Sequence, residues 1–108
     1  MPAGGEAAAI AFYEGVLGIA HVAKPPHLAA RGGCWFEQGD LRIHVGVEAD
    51  FRPAKKAHPA LEVEGLAEVL HRLRAGAVPV TDAEPLDGIE HAYIEDPFGN
   101  RIELLEYT

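Results

Sequence analysis

Asp96-Pro97-Phe98-Gly99-Asn100-Arg101-Ile102-Glu103-Leu104-Leu105-Glu106 reads as a tight turn feeding a strand. Asp at the first position, Pro at the second and Gly at the fourth suit a type I turn. The strand that follows alternates: Ile102 and Leu104 point one way, Arg101, Glu103 and Leu105 the other. A carboxylate in mid-strand, flanked by core residues, is either at an open surface or aimed at something it must bind. A second stretch, Gly39-Asp40-Leu41-Arg42-Ile43-His44-Val45, is similar. Matched at Arg-Ile-x, it places His44 where Glu103 falls, so two metal-ligating residue types are superposed by what reads as an internal duplication.

Outward from these stretches the chain divides into two similar halves. From Glu6 a helix presents Ala9, Phe12, Tyr13 and Val16 at helical spacing, with Gly18 as its C-terminal cap. A short strand over 19–23 ends at Pro25-Pro26, and 27–32 reads as a loop. Residues 33–37 and 41–47 form an antiparallel pair around the Gln38-Gly39-Asp40 turn. Residues 51–56 are a connector. The second half opens with a strand over 57–63. Leu66, Val69, Leu70 and Leu73 then make the apolar face of a helix capped at Gly76. A short strand over 78–81, a loop, and a final hairpin of 89–94 with 101–107 complete it. Gly18 and Gly76 stand 58 positions apart, and His44 and Glu103 stand 59 apart. That near-constant offset marks one repeated supersecondary unit. The halves are unequal, because nothing before the first helix matches the strand over 57–63.

Composition narrows the partners. A chain of 108 residues with 48% hydrophobic content supports one domain with a modest core. A net charge of −8 argues against nucleic acid and against an anionic membrane surface as partners. The lone Cys34 has no internal disulfide partner, no apolar run is long enough to span a bilayer, and signal-peptide features are absent. A cytoplasmic soluble domain is the expectation.

Phe12-Tyr13-x-x-Val16-Leu17-Gly18, the two hairpins and Asp96-Pro97-x-Gly99-Asn100-Arg101-Ile102-Glu103-Leu104 together resemble the vicinal oxygen chelate superfamily. That group holds glyoxalase I, bleomycin-resistance proteins, fosfomycin-resistance enzymes and extradiol dioxygenases. The resemblance spans nearly the whole chain and is more specific for fold than for reaction. It implies an α+β domain over 1–108, built from two βαβββ modules (1–50 and 57–108, joined by 51–56) that curl a mixed sheet into a cleft around one divalent metal ion. Carried over residue by residue, it offers His58, Glu103 and His44 as ligands. The fourth would lie on a first strand that module one lacks. The further expectation is that the gene continues upstream with a strand of about five to eight residues bearing a His, and that members pair as homodimers.

Two imidazoles and a carboxylate suit Fe, Mn, Zn, Ni or Co as divalent ions, with Glu103 also a candidate proton shuttle. Taken singly, each His reads first as a polar residue on a solvated sheet face, and it is the trio at matched strand positions that points to a metal. Alternation puts His91 and Tyr93 on one face, with Trp35 in the matching place of the first half; these are either a substrate wall or ordinary aromatics of the core. Arg42 and Arg101 are candidates for meeting a carboxylate or phosphonate. Cys34 should face the core. His21, His27 and His71 are expected in loops or on a helix surface. Two functions follow: a metal-dependent lyase, isomerase or dioxygenase, or a metal-free drug-binding resistance protein.

Overall fold

The turn at Asp96 is built by its own side chain. Asp96 Oδ1 accepts hydrogen bonds from the backbone N–H of Phe98 and of Asn100, both at 2.9 Å, while Oδ2 accepts from Asn100 Nδ2 at 2.8 Å. The carboxylate is buried, and these donors satisfy it. Gly99 closes the turn with its N–H to the Asp96 carbonyl at φ 87°, a conformation that costs a residue with a Cβ. The Asn100 side chain then accepts from Ala54 N–H, tying the hairpin to the connector. The motif thus spends its polar atoms on shape and leaves the strand after it to carry chemistry.

The computed structural model describes residues 1–108 and divides them into two compact units, Met1–Arg52 and Pro53–Thr108. The architecture is α+β with open sheets. The first unit holds α1 (Glu6–Ile10), a π-helical turn (Ala11–Val16), β1 (Ala20–Val22), α2 (Pro26–Ala29), β2 (Cys34–Gln38) and β3 (Leu41–Val45). Its strands form an antiparallel sheet in the order β1-β2-β3. The second unit holds β4 (Ala60–Glu62), α3 (Leu66–Ala75), β5 (Val80–Asp82), β6 (Ile89–Glu95) and β7 (Arg101–Tyr107), with sheet order β4-β7-β6-β5. In it β4 runs parallel to β7 and the other pairs are antiparallel. The expected repeat is visible as β1, α2 loop and β2–β3 hairpin in one unit and β5, loop and β6–β7 hairpin in the other.

Each unit has its own core. In the first, Phe12, Tyr13, Ile19, Cys34 and Phe36 are buried, with the Tyr13 ring 5.2 Å from that of Phe36. In the second, Leu66, Leu70 and Leu73 of α3 pack over Ala92, Ile94, Ile102 and Leu104 of the hairpin. Each large apolar side chain so buried contributes about 1.5–3 kcal/mol. The opposite face of the hairpin, with His91, Tyr93, Arg101 and Glu103, is only partly buried, as alternation requires.

Three local expectations are corrected. The first helix is α only to Ile10; its end is a π turn in which Leu17 N–H donates to the Phe12 carbonyl, an insertion that a 3.6-residue period does not reveal. The stretch after Pro25 is a short helix, with Pro26 at its first position where a missing N–H costs nothing. The strand expected from 57 begins at Ala60, because Pro59 has no N–H for the ladder, although its carbonyl still accepts from Glu103 N–H. The helix α3 is capped at Gly76 as expected, with φ −87°, and the residue after it, Ala77, is left-handed at φ 62°.

In the first unit Met1 is set against the end of β3. The Met1 amino group donates to the Gly46 carbonyl at 2.7 Å, and the Met1 carbonyl accepts from Glu48 N–H at 3.0 Å. This is the bonding of a parallel bridge, the relation that β4 has to β7 in the second unit.

Candidate functional site

Strand β7 is an inner strand of its sheet, so Glu103 has a neighbour on each side: Ala60 on β4 and Tyr93 on β6. Its carboxylate lies between two imidazoles. His58 Nε2 is 3.0 Å from Oε1, and His91 Nδ1 is 2.9 Å from Oε2. Each ring is fixed from behind by a backbone carbonyl. His58 Nδ1 donates to Lys56 O at 3.0 Å and His91 Nε2 donates to Glu84 O at 2.6 Å. A carbonyl only accepts, so these outer nitrogens carry the protons and the inner nitrogens face the carboxylate. A proton must then sit between each inner nitrogen and Glu103.

The electrostatics follow from that arrangement. Burial pushes the Glu103 carboxyl up, but the hydrogen bonds from His58 and His91, with the charge of those rings, outweigh it and hold the group below its usual range. The bond to the Glu84 carbonyl raises His91 above its usual value; burial opposes this, and Glu103 adds to the rise. The His91 side chain is 7% exposed and that of Glu103 15%. Tyr93 completes the wall, edge-on to His58 with centroids 5.3 Å apart and carrying the Arg101 guanidinium 4.9 Å above its ring. His91, Tyr93 and Arg101 line a cavity of about 470 Å³ with Glu84 and Leu86.

The sequence-derived candidates therefore fall into two groups. His58, His91, Tyr93, Arg101 and Glu103 stand together on one face of the second unit. His44, Trp35 and Arg42 lie in the first. There His44 stacks flat on Trp35, with ring centroids 4.0 Å apart and planes at 5°, while Arg42 pairs with Glu37 and caps the Gly39 carbonyl at the hairpin tip. Cys34 is buried, with Sγ donating to the Glu6 carbonyl at 3.7 Å, as a core residue would. No three His, Cys, Asp or Glu side chains are arranged as they stand to hold a metal ion. His91 makes a contact with Glu103 that the sequence reading does not single out. Its signal was present: two residues before Tyr93 on the same face, it is the diagonal neighbour of Glu103.

The family model for the glyoxalase/bleomycin resistance protein/dioxygenase superfamily matches residues 3–104. The chain belongs to this superfamily. A glyoxalase family protein of Bacillus anthracis is 42% identical and superposes with a TM-score of 0.96 over 100% of this chain and 88% of its own. A lactoylglutathione lyase of Agrobacterium tumefaciens is 25% identical, with a TM-score of 0.74 over 98% of this chain and 88% of its own. TnmS3, an antibiotic-binding protein of a Streptomyces species, shares the fold at 20% identity, with a TM-score of 0.76 over 100% of this chain and 91% of its own. No curated protein matches the sequence. No helix is long and apolar enough to cross a membrane.

Proposed function

We propose that this member of the superfamily is a divalent-metal-dependent enzyme acting on a small molecule with two adjacent oxygens, with His58 and Glu103 as metal ligands. The observation that carries the proposal is the His58 ring: its Nδ1–H is tied to Lys56 O, and its Nε2 is aimed at Glu103 Oε1. A carbonyl behind a metal-binding imidazole fixes its tautomer and orientation. The donor set fits such an ion, since neutral imidazole and carboxylate are its usual ligands and the inner protons of the trio are what binding would displace. When bound, the ion supplies Lewis-acid polarisation of the substrate oxygens. Glu103, held ionised, is the group able to take and return a proton at Oε1 or Oε2, with His91 orienting it. Arg101 forms no ion pair and can meet an anionic substituent in the cavity shared with His91 and Tyr93. Whether the reaction is a lyase, isomerase or dioxygenase step depends on the substrate.

A second reading is supported by the arrangement of the trio. Both Glu103 oxygens are already satisfied by His58 and His91, and an antibiotic-binding protein shares the fold. Metal-free binding of a small drug is then the function. Titration with Mn²⁺, Ni²⁺, Zn²⁺ and Fe²⁺ separates the two. The first reading expects one ion per site, proton release on binding, and a loss of about tenfold or more in affinity in His58→Ala and Glu103→Ala. Unchanged affinity in both variants would establish the second. His44→Ala, run beside them, joins the donor set if its loss is comparable.

A further inference from the structure

We propose that Asn100 is a positioning residue for the metal site: through Ala54 it sets the arch of chain that aims His58 at Glu103. The inference rests on the reading of His58 as a metal ligand. His58 belongs to no strand. It lies in the irregular segment before β4, which starts only at Ala60. A ligand on a strand inherits its direction from the ladder, whereas a ligand on irregular chain must be aimed by other bonds.

Those bonds are few, and at both ends of the segment they are made to one hairpin. Ala54 N–H donates to Asn100 Oδ1 at 2.9 Å, and the Ala54 carbonyl accepts from Arg101 N–H at 2.7 Å. At the far end the Pro59 carbonyl accepts from Glu103 N–H at 2.9 Å. From Ala54 to Pro59 the segment advances five residues while β7 advances two, from Arg101 to Glu103, so the surplus stands out as an arch. Inside the arch His58 Nδ1 donates to Lys56 O at 3.0 Å.

Asn100 is engaged at both ends of its amide. Its Nδ2 donates to Asp96 Oδ2 at 2.8 Å, and the Asp96 carboxylate is itself buried and held by two backbone N–H groups. A carboxylate only accepts, so Nδ2 must face Asp96 and Oδ1 must face Ala54. The rigidity of the turn is thereby handed to the connector. The Arg101 bond grips one peptide plane of Ala54 and the Asn100 bond the other, and together they fix the direction in which the arch sets out. That direction decides where the Lys56 carbonyl stands, and with it the tilt of the His58 ring. The ring of His91 is held by Glu84 O, on a different segment, and owes nothing to this link.

His58 and His91 both lie against the Tyr93 ring, with centroids 5.3 and 6.0 Å away, so one aromatic side chain reports on both. The test measures nuclear Overhauser contacts from Tyr93 to each histidine ring in EDTA, in wild type and in Asn100→Ala. Calorimetric titration of the chelator-free proteins with Zn²⁺ runs beside it. In Asn100→Ala the His58–Tyr93 contact should weaken several-fold while the His91–Tyr93 contact is kept, and Zn²⁺ affinity should fall about tenfold. Ala54→Pro, at an exposed position, removes the same bond from the other side with Asn100 and the Asp96 turn intact. It carries the same expectations should Asn100→Ala fail to fold. An unchanged His58 contact overturns the proposal, and so does an equal loss of both contacts, which marks general loosening. Where His58→Ala weakens Zn²⁺ binding and Asn100→Ala does not, the proposal is overturned as well. Where only the His58 contact loosens and neither variant weakens Zn²⁺ binding, it is the metal reading that has failed, and Asn100 still positions His58.

Discussion

Glu103 shows how one residue's surroundings set its chemistry. Burial alone would raise the Glu103 pKa; between two imidazoles, their hydrogen bonds and charge outweigh that and hold it below its usual range. The same geometry makes stability depend on pH from both sides. His91 has a folded pKa above its ordinary 6.5. Its contribution is therefore fully present below 6.5 and is lost as pH rises through the higher folded value. Glu103 has a folded pKa below its ordinary 4.5. Its contribution is present above 4.5 and disappears as pH falls through the lower folded value. The pair should stabilise the fold most between those two ordinary values. Melting temperatures taken in EDTA from acid to mild alkali test this. Wild type should lose stability above neutrality more steeply than His91→Gln, which lacks the raised group. Parallel profiles on the alkaline side would show that the His91–Glu103 contact carries no such linkage.

At the scale of elements, the end of α3 is where the chain departs most from its own cues. Ala75-Gly76-Ala77 reads as a helix stopped by glycine, and Gly76 is its C-cap, but it is Ala77 that takes the left-handed conformation. The bond from Val78 N–H to the Leu73 carbonyl at 3.0 Å holds it there. That conformation costs alanine about 1–2 kcal/mol, against about 0.5–1 kcal/mol of extra chain entropy for glycine. Ala77→Gly should therefore stabilise the protein by about 0.5–1 kcal/mol, read as a rise of a few degrees in melting temperature; a fall would mean that Ala77 is not held at positive φ in solution. The start of α3 hides a similar device. Gly65 offers no side-chain cap, and Glu106 of β7 accepts from the N–H of Gly65 and Leu66 instead, at 2.7 and 2.9 Å. Such long-range fittings are invisible to local pattern. What was legible was what alternation and turn chemistry govern: the Asp96 turn, the two faces of β6 and β7, the apolar stripe of α3, and hence the grouping of His91, Tyr93, Arg101 and Glu103. What was not legible came from single backbone atoms. Pro59 cut β4 short, and the carbonyls of Lys56 and Glu84 turned two polar histidines into a bridged trio.

At the scale of the whole molecule, neither sheet closes on itself. The order β1-β2-β3 leaves β1 and β3 as edges, and β4-β7-β6-β5 leaves β4 and β5. Met1 bonds to Gly46 and Glu48 just past β3. Unpaired edges are templates for another strand, and proteins that keep them cover them in assembly. Val47, Leu86 and Tyr107 are also exposed, at 37%, 54% and 65%. We predict a two-fold homodimer, the closed arrangement by which identical chains most often satisfy such surfaces. The charge of −8 on each chain opposes it. Salt screens that repulsion and leaves apolar and backbone contacts intact, so the dimer should tighten as ionic strength rises from low to physiological. Sedimentation equilibrium at micromolar chain concentration, repeated across salt, measures both effects. A monomer at every salt concentration would refute the assembly. A dimer that loosens with salt would mean that the contact is made by complementary charges and not by the open edges.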